Sequence, residues 1–325
     1  MRSARGRLAR HLSIFLNGKT LSLGVALLLS TGLVLAFVDG SETVDAQEYS
    51  AYADPDKPVI SIVLSDEANV EEFQSKFGLG DEEMDNVLAA VLKENRTLVQ
   101  EYSESEQMVE SNEELPDEQI AGKIAASDYD EKVRAAVEET KATIEALLPE
   151  DRRPELEAWV NAKFAEGAEK ASQDTVTDRR GGTAKGPGVR CEIFATQYNG
   201  YTRYEVALPH RNLKDGYLAG KNARKVTITR KRGRIRAPVK EVGPWNIRDN
   251  YWQSRRKRDM WDDLKRCKPE AEAAYFDNYN HGKDQFGRKV LNPAGVDLTP
   301  RAAKRLGLRK YQNAWVKVRY PWVGR

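Results

Sequence analysis

One change of hydrophobic pattern, at residues 171–188, constrains the fold of this chain more than any other feature. Before it, apolar residues recur at helical spacing, and after it short β-prone runs are separated by glycine and proline. The segment itself (ASQDTVTDRRGGTAKGPG) has no periodicity and is rich in Gly, Ser and Thr, which is typical of a linker. The sequence therefore predicts an α+β protein with helices first and a small β domain last.

The charge of the chain changes at the same place. Residues 47–170 contain 32 acidic and 12 basic side chains, whereas residues 171–325 contain 15 acidic and 35 basic ones. The balances of −20 and +20 leave a formal net charge of only +2 for the whole chain. We predict an acidic helical region at 47–170, a linker at 171–188 and a basic domain at 189–325.

The acidic region is predicted to contain three amphipathic helices. Their apolar positions are, in chain order, Met84, Val87, Leu88, Val91, Leu92 and Leu98; Val133, Val137, Ile144, Leu147 and Leu148; and Leu156, Trp159, Val160 and Phe164. Two arrangements are open at this point. The helices either form a spacer that holds the basic domain away from a membrane, or they dock on that domain through charge complementarity.

Residues 1–46 are predicted to be a signal peptide or a membrane anchor. Arg2, Arg5, Arg7, Arg10 and Lys19 precede an uncharged run at residues 21–38 (LSLGVALLLSTGLVLAFV). A basic flank before an apolar run places the rest of the chain on the far side of the membrane. The run is intermediate in length between the core of a cleaved signal and a full span, so secreted and membrane-anchored products both stay open.

The two cysteines, Cys191 and Cys267, both fall in the basic domain. An even pair in an oxidising exterior forms a disulfide more often than a metal site, and these two lack companion His spacing for zinc. We predict that they are bridged, with two buried thiols as the alternative. No Gly-rich stretch has phosphate-binding spacing after a strand, so we expect neither a cofactor nor a metal.

The basic domain is predicted to contain strands at 191–196, 202–208, 225–229, 239–242 and 315–320. A short helix is expected at 300–306, because Thr299 can cap it and Pro300 suits its first turn. Residues 245–289 interrupt this pattern and are rich in Trp, Tyr, Arg and Asn. We interpret them as a long, partly helical functional insertion.

Two motifs in this domain occur in a distinctive order. A strand ends in Glu241-Val242-Gly243-Pro244, and Gly295-Val296-Asp297-Leu298-Thr299 later leads into a helix, Gly307 and a final strand. This order resembles the double-psi β-barrel domains of the rare lipoprotein A and expansin type, over residues 190–320 at most. The chain departs from that pattern in its long insertion, and in having Glu-Val where the family often has Asp-Arg before Gly-Pro.

The resemblance implies an exported cell-envelope protein whose barrel binds, and can cleave, peptidoglycan or a related glycan in the manner of a lytic transglycosylase. In that family the Asp of the Asp-Leu step protonates the glycosidic oxygen, and it corresponds to Asp297; the acid before Gly-Pro corresponds to Glu241. Such cleavage needs a carboxylic acid kept protonated by a semi-apolar site and a second group that stabilises the transition state. The alternative is a non-catalytic wall-polymer-binding or structural module.

Side chains of the insertion are candidate substrate ligands. Trp245, Tyr251 and Trp252 could stack on sugar rings, although they could equally cover the barrel. His281 and Asp284 belong to a polar cluster whose His can titrate near neutral pH. The basic runs at 224–236 and 255–258 predict an anionic partner, which outside the membrane is a wall polymer, the carboxylates of peptidoglycan or lipid head groups. Nucleic acid would explain the same charge, but export of the chain argues against it.

Overall fold

A computed structural model describes residues 49–172, 188–198, 204–213, 224–309 and 312–323. Residues Glu48–Arg325 form one compact unit. The predicted membrane-targeting segment at 21–38 and most of the predicted linker lie outside the described residues. Within the described ranges, no helix has the length and apolar character needed to cross a membrane.

The first part of this unit is helical, as the sequence predicts. The helices are α1 (Val59–Val63), α2 (Glu67–Phe77), α3 (Asp81–Glu110), α4 (Asp117–Ala125), α5 (Tyr129–Ala146) and α6 (Arg153–Ser172). The three long ones contain the predicted apolar stripes, while the short α1, α2 and α4 were not predicted. Phe73, Val87, Ile144, Leu156 and Val160 are fully buried between these helices. Burial of such side chains drives the helices together, since none is stable alone.

The second part is a closed six-stranded β-barrel, which confirms the predicted small barrel. Its strands are β1 (Val189–Gln197), β2 (Val206–Leu208), β3 (Lys225–Arg230), β4 (Gly233–Val242), β5 (Ala294–Leu298) and β6 (Ala314–Tyr320), in the spatial order β1-β5-β2-β4-β3-β6. Two neighbouring pairs, β1 with β5 and β2 with β4, are parallel. Ile193, Val226, Ile228, Val239 and Val318 are fully buried in the barrel core.

The insertion between β4 and β5 is partly helical, with α7 (Glu270–Asp277) as its longest helix, and α8 (Pro300–Arg305) follows β5. The predicted disulfide is confirmed: Cys191 of β1 is bonded to Cys267 of the insertion. Tyr251 and Trp252, also in the insertion, belong to the barrel core, where the ring of Trp252 stacks on Tyr320 with centroids 5.0 Å apart. The insertion is thus joined to the barrel both covalently and by packing.

The helical part docks on the insertion, so the second of the two arrangements left open by the sequence describes the packing. The Tyr102 ring of α3 contacts the Trp245 ring edge-on at 4.8 Å. The fully buried Arg288 donates from Nε to Asp284 and from Nη1 to Glu106 of α3, both at 2.6 Å. A buried guanidinium bonded on both sides ties the two parts together, because separating them would remove the Glu106 partner of Arg288 and leave only Asp284.

Candidate active site

The candidate site begins with a row of four residues across neighbouring strands. Ala207 of β2 is paired with Asp297 of β5 on one side and with Glu241 of β4 on the other. Asp297 is in turn paired with Thr196 of β1. Directly paired residues project from the same face of a sheet, so Thr196, Asp297, Ala207 and Glu241 share one face. With strands about 4.8 Å apart, the Cα atoms of Asp297 and Glu241 are about 10 Å apart.

Glu241 reaches this face through an irregularity in β4. The register is Val206 with Val239 and then Ala207 with Glu241, so Lys240 is an extra residue on β4. Val239 points into the barrel core, and strict alternation would send Glu241 the same way. The bulge reverses that direction, which is a common use of bulges beside functional sites. The one additional residue, Lys240, therefore determines the direction in which the Glu241 side chain points.

The row lines a cavity of about 360 Å³ between the barrel wall and α3. The barrel contributes Thr196, Ala207, Glu241 and Asp297, and the turn after β4 contributes Gly243, Pro244 and Trp245. The opposite wall is α3, whose contribution includes Leu98, Tyr102, Glu106 and Glu110. Ligand sites usually range from about 300 to 1,000 Å³, so this volume fits a small ligand or the end of a larger one.

Asp297 has the electrostatic environment of an acid. Its side chain is 7% exposed, and its carboxylate accepts a hydrogen bond from the Thr196 hydroxyl. Burial raises the pKa of Asp297 to about 7; the bond from Thr196 acts in the opposite direction and the negative charge of Glu106 raises the pKa further. A carboxylic acid of this kind is still partly protonated at neutral pH and can donate its proton.

Further acidic groups surround the cavity. The Tyr198 hydroxyl lies 3.4 Å from Glu205 Oε1. Burial, together with the charges of Glu205, Asp297 and Glu241, raises the pKa of Tyr198 well above its ordinary value, so the phenol keeps its proton. Glu241 accepts a hydrogen bond from the backbone N–H of Val242 at 3.0 Å. The site thus combines carboxyl groups with a phenolic donor on one side of the cavity.

Trp245 lines the cavity, as predicted, but in a constrained position. It follows the cis peptide between Gly243 and Pro244 and has a φ of 63°. Its indole Nε1 donates to Asn292 Oδ1 at 3.2 Å, and its backbone N–H donates to the Tyr102 hydroxyl at 3.0 Å. With 2% of its surface exposed, Trp245 offers no open ring face on which a sugar could stack.

The other predicted substrate ligands do not reach the cavity. Tyr251 and Trp252 are 0% and 2% exposed in the barrel core, so neither offers a ring face to a sugar. Asp284 is buried against Arg288, and its oxygens also accept the backbone N–H groups of Phe286 and Arg288. His281 lies on the exposed surface of the insertion. Packing and ion pairing account for the three buried residues, so the prediction that they contact a ligand is wrong, whereas a ligand role for His281 stays a prediction.

Sequence reasoning missed the contribution of α3. Its buried stripe starts with Met84, Val87 and Val91 but changes to Glu94, Glu101 and Ser105 further along. Polar residues at positions that a helix buries indicate a polar partner or a site beneath them. These three residues do not line the cavity, so they mark a polar contact of α3 and not the site itself. No group of His, Cys, Asp and Glu suited to a metal ion occurs in the part of the chain that the structure describes.

Comparison with known proteins gives a match to one family model, over part of the chain. Residues 189–319 match a family model described as a domain of unknown function (DUF8814). The match begins at the first residue of β1 and covers the barrel and its insertion. No curated protein and no solved structure matches the chain. The resemblance to rare lipoprotein A and expansin domains, including the double-psi type of barrel, therefore stays a prediction.

Proposed function

We propose that this protein is an exported cell-envelope protein whose cavity binds a glycan of the peptidoglycan type and cleaves its glycosidic bond, with Asp297 as the acid. The observation that carries the proposal is the placement of a buried carboxyl, with its pKa raised to about 7, in the wall of a ligand-sized cavity. A second carboxylate, Glu241, lies on the same face of the sheet. Paired acidic groups in distinct environments are the usual machinery of glycoside cleavage.

In this proposal Asp297 transfers its proton to the glycosidic oxygen as the bond from that oxygen to the anomeric carbon breaks. Positive charge then develops on the sugar, and the carboxylates of the site, Glu241 foremost, stabilise it electrostatically. In a lytic transglycosylase the sugar's own 6-hydroxyl closes on the anomeric carbon, and its proton returns to the Asp297 carboxylate. The reaction balances without an added water.

A non-catalytic binding module is the second candidate, and one observation favours it. The helix α3 forms a wall of the cavity and is held there by the Tyr102–Trp245 ring contact and the Arg288–Glu106 ion pair. Because α3 closes the cavity on this side, the end of a glycan chain or a short glycan fragment fits it better than the middle of a long glycan chain. The peptidoglycan or wall polymer would then be recognised rather than cut.

The deciding experiment compares the wild-type protein with Asp297→Asn on purified sacculi. Release of anhydro-muropeptides by the wild type, lost in Asp297→Asn while glycan binding is kept, supports the enzyme. Glu94→Gln is the matched control, because Glu94 is also a buried carboxyl whose pKa burial raises to about 7, but it lies between helices of the helical part. If the wild type binds the glycan but releases no anhydro-muropeptides, the protein is a binding module. If it neither binds the glycan nor releases fragments, the proposal is overturned.

A further inference from the structure

A second surface of the barrel is strongly basic and lies outside the cavity. Two threonines of strand β3 are each paired with a basic residue on both neighbouring strands, β4 and β6. Thr227 is paired with Arg236 of β4 and Arg319 of β6, and Thr229 is paired with Arg234 and Lys317. Paired side chains share a face, so these basic residues extend over three strands. The surface consists of Arg234, Arg236, Lys317 and Arg319, together with the exposed Lys225 at one end of β3. We call it the basic face.

Alternation along the strands separates the basic face from the core. Val226, Ile228, Ile235, Ala237 and Val318 occupy the intervening positions and belong to the barrel core. The basic side chains therefore point away from the core as a direct result of the strand period of two. At the tip of the β3–β4 hairpin, Lys231 and Arg232 are exposed and extend the same charge.

Several side chains of the basic face have no ion-pair partner among the described carboxylates. Lys317 does have one, because its Nζ lies 3.7 Å from an oxygen of Glu192. No described carboxylate forms an ion pair with Lys225, Lys231, Arg232, Arg234 or Arg236. Residues 224–240 contain eight basic and no acidic side chains. Like charges crowded in this way raise the energy of the isolated protein and are relieved by an external anion.

We propose that the basic face binds the surface of an anionic phospholipid bilayer, as a site separate from the cavity. The charges spread in two dimensions over three strands, which suits an extended surface. Among the described residues, the exposed large hydrophobic side chains are Tyr49 and Val99, and neither lies on this face. The contact of this face with lipid head groups is therefore electrostatic.

The sequence places the start of the folded unit, Tyr49, within reach of a bilayer when the predicted anchor is retained. Ten residues separate the apolar run ending at Val38 from Tyr49. A chain of that length spans at most about 36 Å when fully extended. A tethered protein meets the membrane at high effective concentration, so weak contacts from several basic side chains suffice to orient it.

The test measures partition of residues 48–325 onto lipid vesicles. These residues form a compact unit containing all the hydrophobic clusters of the described chain and exclude the apolar run at 21–38, which would bind lipid by itself. We expect binding to vesicles of equal parts phosphatidylglycerol and phosphatidylcholine, and none to phosphatidylcholine alone. Binding should be lost in 1 M salt, where the Debye length falls to about 3 Å.

Two triple variants of equal composition give the matched comparison. Lys225→Gln, Arg234→Gln and Arg236→Gln together remove three charges from the basic face. Arg255→Gln, Arg256→Gln and Lys257→Gln remove the same residue types from an exposed turn of the insertion. Each basic side chain at an anionic surface contributes about fivefold to partition. The first triple should lower partition about a hundredfold, and the second should leave it within a few fold of the wild type.

Equal losses in the two triple variants would overturn the proposal, because net charge rather than this face would then be responsible. Binding of inorganic polyphosphate without binding of anionic vesicles would also overturn it, in favour of a polyanionic polymer. If the first triple variant fails to fold, Lys231→Gln with Arg232→Gln at the hairpin tip replaces it, with an expected loss of about 25-fold. None of these residues lines the cavity, so the outcome is independent of the glycan-release experiment.

Discussion

Replacing Asp297 by Asn should change the pH dependence of stability in a direction that the site dictates. Burial raises the pKa of Asp297 from 3.8 to about 7 in the folded protein. Between these two pH values the folded state binds more protons than the unfolded state. The free energy of unfolding of the wild type therefore falls as pH rises from about 4 to about 7, and this contribution is constant outside that window.

The shift of about three pKa units sets the size of the effect. At 1.36 kcal/mol per unit, the penalty for ionising Asp297 in the folded protein is at most about 4 kcal/mol above pH 7. Asn cannot ionise, yet its amide oxygen can still accept the hydrogen bond from Thr196. The stability of Asp297→Asn relative to the wild type should therefore increase by up to about 4 kcal/mol between pH 4 and pH 8.

Denaturant unfolding at a series of pH values measures this difference, with the change in midpoint converted through the slope of each transition. Glu94→Gln should show the same sign, because burial likewise raises the pKa of Glu94 from 4.5 to about 7, while glycan release stays unchanged. A difference between Asp297→Asn and the wild type that does not vary with pH would show that Asp297 ionises freely in the folded protein. The acid role proposed for it would then be lost.

Four further predictions follow from neighbouring contacts. Thr196→Val removes a hydrogen bond to the ionised carboxylate, so the pKa of Asp297, followed by carboxyl NMR, should rise above about 7. Glu106→Gln removes a negative charge that raises this pKa, so the same measurement should show a decrease. Arg288→Met leaves Asp284 buried without its partner and should cost roughly 3–5 kcal/mol in denaturant unfolding; no loss would mean that water reaches the pair. Cys191→Ala with Cys267→Ala opens a cross-link spanning 76 residues and should cost about 4 kcal/mol, and an unchanged unfolding midpoint would contradict a bridge in the purified protein.

Most of the architecture could be predicted from the sequence, because it depends on local patterns. The apolar stripes of α3, α5 and α6 recur at helical spacing, and the strand runs alternate between buried and exposed residues. The disulfide followed from an even cysteine pair in one domain of a chain that we predict to be exported. The short α1, α2 and α4 were missed, because five, eleven and nine residues carry too little periodic signal before tertiary packing fixes them.

The candidate site could be predicted from the sequence only in part. Asp297 and Glu241 came from a resemblance between short motifs, but strict alternation would have placed Glu241 with Val239 in the core. The bulge at Lys240 that turns Glu241 outward has no marker in the local sequence, because it is a property of the register with β2. The aromatic residues of the insertion show the same limit: composition identifies Tyr251 and Trp252 as amphipathic, but only packing decides whether a ring faces solvent or the core.

The sequence by itself determined the three long helices, five of the six strands, where the charge lies and that the two cysteines could be bridged. Each of these depends on neighbours within a few residues or on composition. The tertiary structure decided that the acidic helices dock on the basic domain and that Tyr102 and Glu106 of α3 complete the cavity opposite Asp297. More than 180 residues separate Glu106 from Asp297 along the chain. Only the free energy of packing the two parts together, which no local pattern encodes, brings them into one site.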